Sequence, residues 1–134
     1  MKLDHVGIAV KSIQEARPLY EKGLCLPAAP RVEEVAGEKV RVLKLEAGDP
    51  THIELIEPLS EDSPIAKFIA NRGPGIHHLC FVTDDIARDS QRLKDMGLRM
   101  LGEGVRQGAD GMSVVFFHPK DTFGVLTELA QHAS

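Results

Sequence analysis

Two histidines and two glutamates recur at matching distances along this chain. His5 stands in Asp4-His5-Val6-Gly7-Ile8-Ala9-Val10, and His78 in His77-His78-Leu79-Cys80-Phe81-Val82. With His5 laid over His78, Ile13 falls over Ile86, eight residues on in each copy. Each copy then reaches a strand-like run bearing a glutamate, Ile53-Glu54-Leu55-Ile56 and Leu126-Thr127-Glu128-Leu129. The separations are 49 residues (5 to 54) and 50 residues (78 to 128). Imidazole and carboxylate suit borderline to hard divalent ions, and the lack of a cysteine ligand argues against a closed structural zinc site. A duplicated module can therefore close His5, Glu54, His78 and Glu128 around one divalent metal ion. On an octahedral ion, four protein ligands leave two positions for a substrate chelating through two oxygens. Singly, each histidine is more readily a capping or core residue, and each glutamate an exposed edge residue. Agreement in register carries the metal reading.

Strand parity selects between the adjacent histidines. Neighbouring strand residues point to opposite faces, so His77 and His78 cannot both face a metal. His77 shares parity with Leu79 and Phe81, which belong beneath a helix, while His78 shares that of His5. The remaining histidines are weaker candidates. His118 precedes Pro119-Lys120-Asp121 as a turn residue, His52 shares the parity of Glu54 but belongs at the rim, and His132 lies in a tail. Gly108-Ala109-Asp110-Gly111 has turn chemistry without the strand-to-helix setting of a phosphate loop.

The elements that must position these residues repeat as well. In the first module a strand is expected at about 3–10. A Ser12-capped helix follows over 13–22, kinked or started late by Pro18, then extended runs at 31–36, 39–47 and 52–57. A connector with a short helix from Ser63-Pro64 to Ala70 ends at Arg72-Gly73-Pro74-Gly75. The second module offers a strand at 76–83, an Asp85-capped helix to Met96-Gly97, and extended runs near 98–105, 112–118 and 123–130. Each half is thus βαβββ. The expected fold is α+β: one domain over 1–134, with modules 1–60 and 75–130 joined by the connector 61–74. The modules would share a curved mixed sheet, its concave side carrying the ligands and its convex side covered by the helices.

Composition narrows the function classes. A chain of 134 residues has room for one domain or two small modules. A formal net charge of −4 with no basic stripe argues against nucleic acid. The N-terminus runs straight into a strand pattern with no leader-like segment, and no apolar run approaches the ~18 residues of a membrane span. Cys25 and Cys80 lack metal spacing and read as reduced, partly buried thiols of a cytoplasmic protein.

Four stretches carry a family resemblance: Leu3 to Val10; Ile53 to Leu59 with Asp62-Ser63-Pro64-Ile65-Ala66-Lys67-Phe68; Gly75-Ile76-His77-His78-Leu79; and Phe117-His118-Pro119-Lys120-Asp121 with Gly124 to Leu129. The chain resembles the vicinal oxygen chelate superfamily, which includes glyoxalase I and extradiol dioxygenases, and within it the methylmalonyl-CoA epimerases. The resemblance implies interconversion of the (2R) and (2S) forms of an acyl-CoA substrate by metal-assisted C2 proton transfer. It implies His5, Glu54, His78 and Glu128 as metal ligands, cobalt favoured over manganese, nickel or zinc, and a homodimer. Two departures stand out. Some epimerases carry Gln at the Glu54 position with a separate Glu base upstream, where this chain has Val42. Thr122-Phe123 replaces smaller residues before Gly124.

Inversion at C2 needs a proton removed on one face and returned on the other, and the module symmetry offers Glu128 and Glu54 as the two bases. A glyoxalase I-type lyase would use the same ligands on a hemithioacetal of glutathione. A metal-free small-molecule binder of the same fold would have no need of four intact ligand positions.

Overall fold

A computed structural model describes residues 1–108 and 111–133; of the loop Gly108 to Gly111, residues 109 and 110 lie outside the described residues. The chain divides into two compact units, one of residues 5–77 and one of residues 1–4 with 78–134.

Most of strand β1 (Lys2–Ala9) lies in the 5–77 unit and leads into α1 (Ile13–Pro18), followed by β2 (Glu33–Val35), β3 (Val40–Glu46), β4 (His52–Pro58) and α2 (Pro64–Arg72). The strands lie in the order β2-β3-β4-β1, with β4 antiparallel to β3 and parallel to β1. Ser12 caps α1 through its hydroxyl, which accepts from the Glu15 amide at 3.2 Å. Pro18 ends the regular helix without blocking its start, because its missing N–H falls where the chain widens into a π turn over Leu19–Gly23. Strand parity divides the apolar residues into two clusters. Val10, Leu43, Leu45 and Leu55 pack with Ile13, Ala16 and Tyr20 beneath α1. Ala9, Val40 and Ile56 pack on the opposite sheet face with Ile65, Phe68 and Ile69 of α2.

That second cluster corrects one expectation. Gly7 pairs with Glu54 and Ala9 with Ile56, so α2 covers the Ala9–Ile56 end of the same face that carries Glu54. The helices do not all lie on the far side. Ala9, four positions beyond His5, and Ile56, two beyond Glu54, need a cover, and the connector helix supplies it.

The 78–134 unit repeats the plan with most of β5 (Gly75–Val82), α3 (Ile86–Asp95), β6 (Arg106–Gln107), β7 (Ser113–Phe117) and β8 (Leu126–Gln131), in the order β5-β8-β7-β6. Its core joins Val115, Phe117 and Leu129 to Ile86, Leu93 and Phe81 under α3, as the parity of Phe81 predicts. Asp85 caps α3, accepting from the Arg88 amide at 3.0 Å. The extended run expected near 98–105 does not form a strand. Met100 makes a single bridge to Phe117, Gly102 and Gly104 turn the chain with φ of 63° and 90°, and the edge strand is only Arg106–Gln107. Cys80 is buried but Cys25 is exposed, so the Cys25 thiol is not partly buried as expected.

Among the described residues, no helix is long and apolar enough to cross a membrane.

Candidate metal centre

Within the 5–77 unit, the parallel β1–β4 register sets His5 opposite His52 and Gly7 opposite Glu54. Because β-strand side chains alternate, His5, His52 and Glu54 stand on one face. His5 Nε2 lies 3.7 Å from Glu54 Oε2, with the two side chains 12% and 15% exposed. Ligand bonds of about 2.1 Å allow two donor atoms of one ion to sit up to about 4.2 Å apart. This pair therefore fits a shared divalent ion.

His52 is nearer the site than its rim position suggested. Its Nε2 lies 3.1 Å from Glu54 Oε2, and its ring centroid is 5.0 Å from that of His5. The signal was present in the sequence as shared parity with Glu54, but the residue gains meaning only from the β1–β4 register. On the other side of Glu54 stands Lys44, its antiparallel partner on β3. A cleft of about 640 Å³ in the same unit is lined by Ala28, Pro30, Lys44, Glu46, Thr51 and His52 among others. Val42 pairs with Ile56 and packs in the α2 cluster. An aliphatic side chain there offers no proton acceptor.

In the 78–134 unit, His78 pairs with Leu126 and Cys80 with Glu128 across the parallel β5–β8 ladder. The antiparallel partner of Glu128 is Phe116. The register matches that of the other unit: in each, the glutamate stands opposite the residue two beyond the histidine, Gly7 or Cys80. Both His–Glu pairs thus occupy one face of their own parallel strand pair.

The other histidines fall outside this pattern. His77 packs edge-on against Phe68 of α2, ring centroids 5.0 Å apart. Burial pushes its imidazole pKa down, and the Arg72 guanidinium lowers it further, so the neutral ring is favoured. His118 caps the turn Pro119–Asp121, its Nδ1 accepting from the Lys120 amide at 3.1 Å. His132 lies exposed after β8. Arg99 clamps Asp121 through two guanidinium contacts of 2.9 and 3.1 Å, fixing the turn before β8.

Residues 4–116 match the family described as the Glyoxalase/Bleomycin resistance protein/Dioxygenase superfamily. The chain belongs to that superfamily, and its α+β fold of repeated βαβββ modules is the fold of that superfamily. It is 43% identical to the ethylmalonyl-CoA/methylmalonyl-CoA epimerase of Cereibacter sphaeroides, over 97% of each chain. It is 40% identical to the human mitochondrial methylmalonyl-CoA epimerase, over 97% of this chain and 73% of that one. Among solved structures, a Streptomyces coelicolor methylmalonyl-CoA epimerase in complex with 2-nitronate-propionyl-CoA superposes with a TM-score of 0.85 at 33% identity, covering 100% of this chain and 96% of that one.

Proposed function

We propose that this protein is a divalent-metal-dependent isomerase that interconverts (2R)- and (2S)-methylmalonyl-CoA. The observation that carries the reading is the duplicated His–Glu register, His5 with Glu54 and His78 with Glu128, in a chain similar to methylmalonyl-CoA epimerases over nearly its whole length.

His5, Glu54, His78 and Glu128 are the residues we assign to the ion; these nitrogen and oxygen donors suit Co2+, Mn2+, Ni2+ and Zn2+ alike, and the family resemblance favours Co2+. A bound divalent ion supplies Lewis-acid stabilisation of the negative charge that builds on the substrate oxygens, worth several kcal/mol. The C2–H bond lies between a thioester and a carboxylate. One glutamate takes the C2 proton, the C–H electron pair passes into the thioester carbonyl as an enolate, and the other glutamate returns a proton to the opposite face. We assign these tasks to Glu128 and to Glu54, the latter loosened from the ion, because Val42 cannot accept a proton. Positioned acid–base groups of this kind contribute roughly 10²–10⁴-fold. The cleft beside His52 has a volume within the range of small-molecule sites and provides space for part of the acyl-CoA. We further assign the protein to the cytoplasm as a homodimer.

The test is to assay one Co2+-loaded preparation on methylmalonyl-CoA and on the hemithioacetal of methylglyoxal and glutathione. Turnover of the first and not the second supports the epimerase; the reverse result assigns a glyoxalase I-type lyase. Absence of stoichiometric metal in purified protein, with binding but no turnover, would return the fold to a small-molecule binder.

A further inference from the structure

The first module carries a polar residue that the second does not copy. His52 stands opposite His5, whereas Leu126 stands opposite His78. The neighbouring strand differs too, with Lys44 opposite Glu54 and Phe116 opposite Glu128. The two glutamates are equivalent in register but not in surroundings.

His52 Nε2 contacts Glu54 Oε2 at 3.1 Å, with the side chains 22% and 15% exposed. An ionised carboxylate only accepts, so the contact requires the hydrogen on Nε2 of His52. Charge-assisted bonds of this kind are stronger than neutral ones, and partial shielding from water strengthens them further. The ring is itself held by the His5 ring at 5.0 Å and 30°. Its direction is therefore set from two sides.

We propose that His52 is a positioning residue: its Nε2–H holds the Glu54 carboxylate in one orientation and so gives Glu54 a role distinct from that of Glu128. Leu126 offers Glu128 no such donor. The inference rests on the epimerase reading for its kinetic part only; its metal part needs no substrate. Losing the donor loosens Glu54 toward the ion and misplaces it toward C2, while the Glu128 side keeps its geometry.

Two variants test this, His52→Leu, the residue type of the other module, and His52→Gln, which retains an N–H donor. Chelator competition for Co2+ on metal-free protein should show roughly 10-fold or greater weakening in H52L and near-parent affinity in H52Q. Solvent-deuterium exchange at C2 should fall selectively for one starting epimer in H52L, changing the ratio of the two exchange rates by about 10-fold, with H52Q restoring it. Long-range 1H–15N spectra of the metal-free parent should show His52 as the Nε2–H tautomer. Parent-like Co2+ affinity and exchange ratio in H52L would overturn the assignment, as would equal losses in H52L and H52Q, or an Nδ1–H tautomer. A parent that binds Co2+ but leaves methylmalonyl-CoA unchanged overturns the functional reading instead, and the Co2+ affinities and the tautomer then still decide the role of His52.

Discussion

Glu57 Oε1 accepts a hydrogen bond from the Ile13 amide at 2.9 Å, tying the far end of β4 to the first turn of α1. The second module makes the same tie, Gln131 Oε1 accepting from the Ile86 amide at 2.9 Å. These are the isoleucines that align when His5 is laid over His78. Each tie lies three residues beyond a candidate ligand, so it fixes how each helix sits against the strand that carries the glutamate.

Removing either tie leaves a helix-terminal donor without its side-chain acceptor. Glu57→Ala and Gln131→Ala should each lower stability by about 1 kcal/mol. Glu57→Gln, which keeps an acceptor oxygen, should lose less. Urea melts measure the difference, and metal content should stay at the parent level in all three. A neutral Glu57→Ala would mean that water replaces the side chain at that amide.

His78→Ala should lose bound metal and activity, while His77→Ala keeps most of its metal. The basis is the register of His78 with Leu126 beside Glu128, set against the contact of His77 with Phe68. Metal quantification after dialysis gives the answer. Equal loss in both variants would show the module alignment to be wrong.

Glu54→Gln should keep its metal, since an amide oxygen still coordinates, yet lose roughly 10²-fold or more in inversion rate. Exchange of the C2 proton with deuterated solvent refines the test. Exchange from one starting epimer should persist in Glu54→Gln and from the other in Glu128→Gln. Inversion at the parent rate in metal-loaded Glu54→Gln would reduce Glu54 to a ligand and require another base.

Much of this was legible in the sequence because a repeat encodes register twice. The βαβββ order, the caps Ser12, Ser63 and Asp85, and the parity of His77 against Phe81 all follow from local periodicity and short-range hydrogen bonding. What escaped depends on which strands pair. His52 shares parity with Glu54 along β4, but its approach to His5 exists only because β4 pairs in parallel with β1. The placement of α2 on the Glu54 face likewise comes from tertiary burial of Ala9 and Ile56. The failure at 98–105 is local: Gly102 and Gly104, with positive φ, turn the chain where an extended run was expected.

The turn before β8 should respond to acid through Asp121. The Arg99 guanidinium and amide hold the Asp121 carboxyl down to about 2, from an ordinary value of 3.8. A carboxylate with a depressed folded pKa adds stability that is complete above its unfolded pKa and is lost as pH falls through the folded one. The stability gap between the parent and Asp121→Asn should therefore be constant from neutral pH to about 4, then close as pH falls toward 2. Because both proteins share every other carboxylate, the difference between their melting curves isolates this pair. High salt should narrow the gap at neutral pH, since Arg99 is 60% exposed. A gap that persists unchanged down to pH 2 would mean that Asp121 stabilises the turn through its backbone contacts rather than its charge.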